Sequence, residues 1–442
     1  MRGGAGPGAG GAAAADDGAN VRAIRARFPA LRRTVDGQPV AYFDGPGGTQ
    51  VPEAVADAVR EYLLHHNGNS GWNYATSRET DRVVADARSA LADLFGGRPD
   101  EIAFGPSMTT LTLRVSRALG RTLASGDRVV VTELDHHANV DPWKALADER
   151  GAEIRTVRMD PETGTLDTDD LGLALDGARI LAITAASNAL GTIPDLDAAI
   201  AMARDAGAIV YVDAVHYAPH GLLDVDALGA DFVVASPYKF YGPHLGTLWV
   251  RKERLEALDL PRVASSPDRA PEKIETGTLP FEALAGATTA VAFLASLTGD
   301  RETAAGDAAA TVAAPGRPDG PGRRERLEAA FRTLHARGES LSRRLWDGLR
   351  PVDGVTLYGP PPGAPRTPTL GLTVDGITPA EAADRLAGEG LFLSHGDFYA
   401  TSVIDRLGLR DRGGMLRAGI VAYTNTDEID RLVDGIRRLA RG

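Results

Sequence analysis

The sequence contains no cysteine among its 442 residues. This absence excludes disulfide bonds, thiolate-ligated metal sites and any reaction in which the enzyme itself carries a thiol or a persulfide. Zinc is disfavoured further, because no HExxH motif is present and the adjacent histidines His136 and His137 are poorly spaced to share one ion. We therefore expect no metal in the functional site.

Long apolar runs are missing as well. No stretch approaches the roughly 18 apolar residues that a membrane-spanning helix needs. Residues 1–20 contain no Leu, Ile or Phe, so they lack the apolar core of a signal peptide and are predicted to form a disordered tail. We expect a soluble, cytoplasmic protein.

Positively charged residues are fewer than negatively charged ones. The chain has 48 Lys and Arg against 60 Asp and Glu, which gives a net charge of −12. An acidic surface disfavours nucleic acid and anionic membranes as partners, although it leaves room for a locally basic pocket.

The middle of the chain alternates short β-branched runs with longer amphipathic stretches, which is typical of βαβ units around a mostly parallel sheet. Helices are predicted where apolar residues recur every three or four positions, and Thr49 and Thr426 are predicted to cap two of them. Strands are predicted at residues 129–131, 180–184, 209–212, 232–235, 247–250, 369–373 and 391–393.

Composition changes between residues 299 and 324, where Gly, Pro and Ala dominate. We interpret this stretch as a flexible insertion, followed by a long amphipathic helix at residues 327–349. The length of the chain favours two domains. We place a large α/β domain at residues 21–295 and a smaller α+β domain at residues 296–442, with the N-terminal segment packing against the latter.

Two residues follow neighbouring predicted strands in the segments YVDAVHYAPH and SPYKFYGPHLG. Asp213 ends one strand and Lys239 comes shortly after the next, so both fall at the carboxyl edge of the sheet, where open α/β folds bind ligands. A pyridoxal-phosphate (PLP) enzyme needs a lysine amine to bind the cofactor aldehyde and a carboxylate to keep the ring nitrogen protonated. Taken singly, each residue is also common at strand ends as a cap or a solvated lysine.

Three weaker signals surround this pair. In FGPSMTT, the hydroxyls of Ser107, Thr109 and Thr110 precede a helix and form either a phosphate site or an ordinary helix cap. His136 either stacks on a cofactor ring and moves a proton, or packs locally. Arg417 either pairs with a substrate carboxylate or is a surface residue. The Gly-rich FDGPGGTQ lacks the Walker lysine and the dinucleotide spacing, so it predicts neither ATP nor NAD.

Taken in order, these segments resemble the class V aminotransferase superfamily, specifically its cysteine desulfurase-like branch. The resemblance runs from residue 25 to residue 439 and implies PLP-dependent fold type I, with a mostly parallel seven-stranded sheet in the large domain. Its carriers are FDGPGGTQVP, SGWNYATSRETD, FGPSMTT, ELDHHANVDPW, SNALGT, VDAVHYAPH, SPYKFYGPHLG, ETGTLPFEALAG and RAGIVAYTNTDEID.

The resemblance implies a role for each matching residue. Lys239 resembles the lysine that binds PLP covalently, Asp213 the partner of the ring nitrogen, and His136 the stacking and proton-moving residue. The remaining implied cofactor contacts are His216 and Asn188 at the ring hydroxyl, Ser107, Met108 through its backbone, Thr109, Ser236 and Tyr238 at the phosphate, and Thr278 from a neighbouring subunit. The role of Thr278 implies a homodimer with shared active sites. The substrate-binding candidates are Arg417, Asn188, Arg78 and Tyr399.

The sequence departs from the branch at three places. Tyr238 stands where a histidine usually precedes the lysine, and Ser394 or His395 stands where an arginine is often found. The loop that usually carries a catalytic cysteine reads SHGDFYAT, residues 394–401. Without a thiol an enzyme persulfide cannot form, so this is not a conventional cysteine desulfurase.

The favoured reaction is β-elimination from cysteine, cystine or an S-substituted cysteine, with Lys239 removing the Cα proton. Epimerisation, transamination, decarboxylation and oxidation remain open, and Asp397 and Tyr399 are the residues expected to steer between them. A non-catalytic PLP-binding regulatory protein is the alternative of another class.

Overall fold

The chain is described at residues 20–297 and 322–442 in a computed structural model. The predicted tail at residues 1–20 and the predicted insertion at residues 299–324 lie almost wholly outside these residues. At their margins, Asn20 belongs to helix α1 (residues 20–26) and Arg323 begins a long helix.

The strands of the described residues fall into a large sheet, a small sheet and two short ribbons. They are β1 (Thr34–Val35), β2 (Gln38–Pro39), β3 (Ala41–Tyr42), β4 (Ile102–Gly105), β5 (Arg128–Thr132), β6 (Glu153–Val157), β7 (Ala178–Thr184), β8 (Ile209–Asp213), β9 (Phe232–Ala235), β10 (Gly246–Val250), β11 (Val355–Tyr358), β12 (Thr369–Val374), β13 (Leu391–Phe392), β14 (Ser394–Gly396) and β15 (Met415–Gly419).

Helices cover both faces of the large sheet and one side of the small one. After α1 they are α2 (Glu53–Glu61), α3 (Ala75–Phe95), α4 (Met108–Gly120), α5 (Asp141–Arg150), α6 (Thr168–Leu175), α7 (Leu196–Asp205), α8 (Val225–Leu228), α9 (Lys252–Ala257), α10 (Phe281–Ala295), α11 (Arg323–Leu349), α12 (Pro379–Gly388), α13 (Thr401–Arg406) and α14 (Thr426–Arg441). Short 3-10 turns at His137–Asn139 and Pro237–Lys239 lie at the functional edge described below.

The large sheet has seven strands in the order β4-β10-β9-β8-β7-β5-β6. All of them run in one direction except β10, which pairs antiparallel with both β4 and β9. The five strands predicted in this region lie within β5, β7, β8, β9 and β10. Central strands such as β9 are buried on both faces, which explains their continuous apolar runs.

The small sheet is antiparallel in the order β11-β12-β15-β14 and packs against α11, α12 and α14. The N-terminal segment reaches it through β3, which pairs with β13, and through Phe43, which is buried in its core. The predicted α/β fold with a mostly parallel seven-stranded sheet and a smaller α+β region is confirmed by these two sheets.

Two predicted helix caps are wrong. Helix α2 begins at Glu53 with Pro52 at its cap, and the Thr49 hydroxyl instead accepts a hydrogen bond from the Tyr241 amide at 2.9 Å. Helix α14 is capped by Asn425, which accepts from the amide of Glu428 at 2.8 Å while the Glu428 carboxylate accepts from the Asn425 amide. Asn and Thr both suit this position, so the cap moves by one residue without changing the helix.

Within residues 20–297 and 322–442, no helix is long and apolar enough to cross a bilayer. The same residues contain no group of three or more His, Cys, Asp or Glu side chains placed to hold a metal ion.

A close contact of two backbones fixes the start of α4 against the large sheet. Gly246 begins β10 and lies directly against Ser107, which caps α4 by accepting a hydrogen bond from the Thr110 amide at 3.1 Å. A Cβ atom at Gly246 would stand 2.4 Å from the Ser107 carbonyl carbon. Backbone atoms cannot rotate away, so only glycine allows the helix to begin here.

Gly246→Ala should therefore destabilise the protein, with a loss of about 1–3 kcal/mol in the free energy of unfolding from forced overpacking. The matched control is Gly388→Ala in α12, where an added Cβ meets no atom within 4 Å. This control should be neutral or stabilising by roughly 0.5–1 kcal/mol, because alanine favours helix. Urea unfolding of the three proteins gives the comparison, and a Gly246→Ala midpoint equal to that of the parent would contradict the packing described.

Candidate functional site

The carboxyl ends of the central strands bring most of the predicted residues together. Asp213 ends β8, Ser236 follows β9, and Lys239 closes the 3-10 turn that comes next. Thr184 at the end of β7 pairs in register with Asp213, and β9 lies on the other side of β8. The sheet edge therefore carries an amine, a carboxyl group and a hydroxyl side by side.

Lys239 is held in a half-buried position by the N-terminal segment. Its Nζ donates a hydrogen bond to the carbonyl oxygen of Pro46 and lies 4.9 Å from the centre of the Tyr238 ring. Burial and, to a smaller extent, the positive charge of Arg417 lower the pKa of the amine, Asp213 and Asp44 act in the opposite direction, and the resulting pKa is about 7. The amine is therefore substantially uncharged at neutral pH, which is the form that attacks an aldehyde.

The Gly-rich segment FDGPGGTQ supplies this lysine contact instead of a phosphate loop. Pro46 packs so tightly on β15 that a Cβ atom at Gly419 would lie 2.1 Å from the proline ring. Gly48 packs on the Tyr238 ring, with 3.3 Å between the position of an added Cβ and the ring. The glycines of this segment thus serve close packing around Lys239.

Asp213 is buried, with one carboxylate oxygen accepting a hydrogen bond from the Val215 amide at 2.9 Å. Burial raises its pKa to about 6, while the Val215 amide and the charge of Lys239 lower it. The second oxygen is available for a cationic group, and a protonated ring nitrogen is one such group.

His136 lies on the turn after β5. Its Nδ1 accepts a hydrogen bond from the Ala138 amide at 3.0 Å, so the neutral ring carries its proton on Nε2. Burial lowers the pKa of His136 to about 4, with the charge of Lys239 acting in the same direction. A neutral, fixed imidazole suits stacking on an aromatic ring better than it suits proton transfer.

The predicted phosphate contacts lie at the start of α4 and directly after β9. Strand register places Phe104 and Ala235 on either side of Thr247, so the segments that follow β4 and β9 are neighbours at this edge. The first amides of α4, at Met108 and Thr109, have no partner within the helix and carry the positive end of its dipole. Ser236 Oγ is buried without a hydrogen-bond partner in the described residues.

Arg417 on β15 closes the site from the small-domain side. It donates through Nε to Ser394 Oγ at 3.2 Å and through one terminal nitrogen to the carbonyl oxygen of Asn188 at 2.9 Å. The Phe398 ring covers the guanidinium, with 4.1 Å from the guanidinium carbon to the ring centre. Burial lowers the pKa of Arg417 to about 9, and the nearby carboxyl group of Asp44 counteracts this.

The loop after β14 is pinned across the site by its backbone. Asn188 donates from its side-chain amide to the carbonyl oxygen of Phe398 at 2.9 Å, and the His137 amide donates to the carbonyl oxygen of Tyr399 at 2.7 Å. Phe398 and Tyr399 both adopt left-handed backbone angles, with φ of 57° and 55°. Bulky residues rarely hold this conformation, and they do so mainly where function requires it.

His216 lies next to Asp213 but is tied to the loop before β12. Its Nε2 lies 3.0 Å from the Thr367 hydroxyl and 3.1 Å from the Thr369 hydroxyl. Burial holds the pKa of His216 well below its usual range. The ring is therefore neutral.

Three predicted residues stand apart from this cluster. Arg78 is exposed near the start of α3 and donates to the carbonyl oxygen of Asn73. Thr278 is exposed in the connection to α10. The Tyr399 side chain is 71% exposed, although its ring centre lies 5.4 Å from that of His136.

Sequence reasoning missed two residues at the centre of the site. Asp44 faces Lys239 and Arg417 with an oxygen that is buried and has no partner in the described residues. Phe398, and not Tyr399, covers the arginine. The signal for Asp44 was its place in the Gly-rich segment, whereas nothing in the sequence indicates the left-handed turn at Phe398.

The donor set fits PLP. Several buried polar atoms have no hydrogen-bond partner in the described residues, and they include Ser236 Oγ, Thr247 Oγ1, Asn188 Oδ1 and Asp44 Oδ1. A helix start for a phosphate, a carboxylate for a ring nitrogen, a neutral ring for stacking and an uncharged amine for an aldehyde are all present. Such unsatisfied buried groups are costly unless a ligand completes them.

Comparison with known proteins shows the family of the chain. The sequence model of the family described as aminotransferase class-V matches residues 41–314 and 327–432. A cysteine desulfurase from Klebsiella pneumoniae is 31% identical over 437 residues, covering 95% of this chain and 98% of that protein.

Solved structures show the same fold. A cysteine desulfurase from Escherichia coli superposes with a TM-score of 0.78 at 26% identity, covering 95% of this chain and 98% of that one. The apo cysteine desulfurase from Thermococcus onnurineus superposes with a TM-score of 0.82 at 24% identity, with the same coverage. The predicted fold type I and the resemblance to class V aminotransferases are confirmed, and the family implies PLP as cofactor.

Covalent attachment of PLP to the apoprotein should accelerate with pH around the Lys239 pKa of about 7 and level off above it, because only the uncharged amine reacts. Arg417→Ala should move the midpoint upwards, since the arginine charge lowers the pKa of the amine. Arg78→Ala removes an arginine outside the cluster and is the matched control, with an unchanged midpoint. Visible absorption after mixing reports the rate, and a midpoint near the pKa of about 10 of an ordinary lysine would contradict the assignment.

Proposed function

Because the chain belongs to the class V aminotransferase family, we propose that it is a PLP-dependent enzyme that cleaves a carbon–sulfur bond of an amino acid by β-elimination. The substrate class is cysteine, cystine or an S-substituted cysteine. The observation that carries this proposal is the Lys239 amine, half-buried at the sheet edge beside Asp213 and Arg417 with a pKa of about 7.

Lys239, Asp213, His136 and the start of α4 would hold the cofactor, together with Ser236, as the site geometry described above supports. When bound, PLP supplies an electron sink for charge that develops at Cα of the substrate. Asp213 would keep the ring nitrogen protonated, and the fixed neutral ring of His136 would stack on the cofactor face. His216 would stand at the ring hydroxyl and Tyr238 at the phosphate.

Arg417 would bind the substrate carboxylate. Its Nε and one terminal nitrogen already have partners, and the other terminal nitrogen lies near Gly47, 3.6 Å from the position of an added Cβ. A substrate bound between Arg417 and Asn188 would have its Cα oriented toward Lys239. The uncharged amine of Lys239 would then accept the Cα proton. The Phe398 ring excludes water from this pair and strengthens it.

The absence of a thiol shapes the remaining step. The sequence has no cysteine, so sulfur cannot be passed to the enzyme. The Cα–H and Cβ–S bonds break, the sulfur leaves with the bonding electrons and takes up a proton, and hydrolysis of the enamine gives pyruvate and ammonia. For free cysteine the overall reaction consumes one water and releases hydrogen sulfide, pyruvate and ammonia.

We also propose that the enzyme works as a homodimer with shared active sites. Thr278 is exposed and lies apart from the Lys239 cluster of its own chain. This position suits a contact with the cofactor phosphate bound by a second copy of the chain. Trp72 and Tyr74, just before α3, are 59% and 51% exposed. Aromatic side chains are enriched at protein–protein interfaces.

Product analysis in deuterated water tests the function. With cysteine, cystine and several S-substituted cysteines, mass spectrometry should detect pyruvate and ammonia in equal amounts, and Asp213→Ala should reduce their formation by at least about a hundredfold by removing the counter-charge of the ring nitrogen. Lys144→Ala, which removes a lysine on α5 outside the cluster, is the control and should retain full activity.

Recovery of amino acid deuterated at Cα without pyruvate would contradict β-elimination and favour epimerisation. Formation of an α-keto acid with retained sulfur would favour transamination. Absence of any spectral change with amino acids would favour a non-catalytic role.

A further inference from the structure

Asp135 is a buried carboxyl group that the proposed chemistry does not use. It stands between β5 and the turn that carries His136, and its side chain is fully inaccessible to solvent. The Thr132 hydroxyl donates to its Oδ2 at 2.5 Å, and the Asn139 amide donates to its Oδ1 at 2.8 Å. The backbone of Thr184 lies beside the carboxyl group and, like these two hydrogen bonds, lowers its pKa.

These contacts continue into the packed core behind the site. The indole of Trp143 donates to Asn139 Oδ1 at 3.1 Å, and Trp143 is fully buried. Asp135 and Asn139 therefore fasten both ends of the turn that holds His136, with the ends of β5 and β7 on one side and α5 on the other. Removal of the carboxyl group would leave the Thr132 hydroxyl and the Asn139 amide without their acceptor.

Few charged groups face Asp135. β8 presents Asp213, whose negative charge raises the pKa of Asp135. Thr132 from β5, Thr184 from β7 and Asn139 from the 3-10 turn are uncharged, and the adjacent His136 has a pKa of about 4. No cation within the described residues forms an ion pair with Asp135. The charge of Lys239 lowers the pKa of Asp213 instead.

We infer that Asp135 is a positioning residue that works as a neutral carboxylic acid, holding the His136 turn by hydrogen bonds while leaving Asp213 as the charged carboxylate of this sheet edge. The inference rests on the proposed role of the site in binding PLP. It extends that role to a residue that touches neither cofactor nor substrate.

Asp135 and Asp213 have different surroundings, which give them different pKa values. Burial raises the pKa of Asp135 to about 8 and the charge of Asp213 adds to this effect, although the hydrogen bonds from Thr132 and Asn139 act in the opposite direction. Asp213 itself has a pKa of about 6, also raised by burial, with Lys239 beside it. Asp213 ionises first, and its charge then opposes ionisation of Asp135. Two buried carboxylates at one edge would repel each other and weaken the hold of Asp213 on a protonated ring nitrogen.

The test compares Asp135→Asn with Asp135→Ala. The amide has the shape of the neutral acid and no titrating proton, so Asp135→Asn should bind PLP within about twofold of the parent at pH 7, whereas Asp135→Ala should bind at least about tenfold more weakly because the His136 turn is released. Fluorescence titration of the apoproteins with PLP gives both affinities.

Thermal unfolding of the apoproteins supplies a readout independent of PLP. A carboxyl group whose pKa is raised in the folded state stabilises that state at low pH, and this contribution is lost as pH rises from the unfolded value of about 4 to the folded value. The melting temperature of Asp135→Asn should therefore rise relative to that of the parent as the pH is raised from about 5 to about 8. Asp148→Asn makes the same substitution on the exposed side of α5 and should show no such trend.

If the difference in melting temperature between Asp135→Asn and the parent did not grow with pH, the claim that Asp135 is a neutral acid would be overturned. PLP binding by Asp135→Asn that is tenfold weaker, or by Asp135→Ala that is unchanged, would overturn the positioning role. If the parent binds no PLP at all, the proposed function fails, while the melting series still decides the charge state of Asp135.

Discussion

Desolvation of the Lys239 amine is the constraint on which the rest of the site depends. An ammonium group loses hydration when it is buried, and here Arg417 adds a second positive charge nearby, so the pKa of the amine falls to about 7. The negative charges of Asp213 and Asp44 oppose this lowering of the pKa. A lysine with this pKa is reactive at neutral pH, and moving any of these groups would alter its charge.

The fold builds this environment from three distant parts of the chain. The sheet edge brings Asp213 and Lys239, the N-terminal segment brings Pro46 and Asp44, and the small sheet brings Arg417. Tyr241 links them, since its amide donates to Thr49 and its hydroxyl accepts from the Ala422 amide at 2.9 Å. The interface between the two sheets is therefore part of the active site and determines the charge state of its lysine.

The parallel strands and the Asp213–Lys239 pair were predictable, because β-branched runs mark buried strands and strand ends converge at one edge. The reversal of β10 was not, since it depends on how residues 237–245 turn back and no local pattern encodes that path. The position of the Phe398 ring over Arg417 was not predictable either, because the left-handed backbone of this loop is set by contacts with Asn188 and His137. Tertiary packing, which local sequence does not contain, decides both.

Covalent trapping tests the central claim that Lys239 binds PLP. The sequence has four lysines, namely Lys144, Lys239, Lys252 and Lys273. Lys252 and Lys273 form ion pairs with Asp100 and Asp268. Borohydride reduction of the PLP-loaded protein followed by peptide mass spectrometry should place the pyridoxyl group on Lys239 alone. A label on another lysine, or no label on any, would contradict the account.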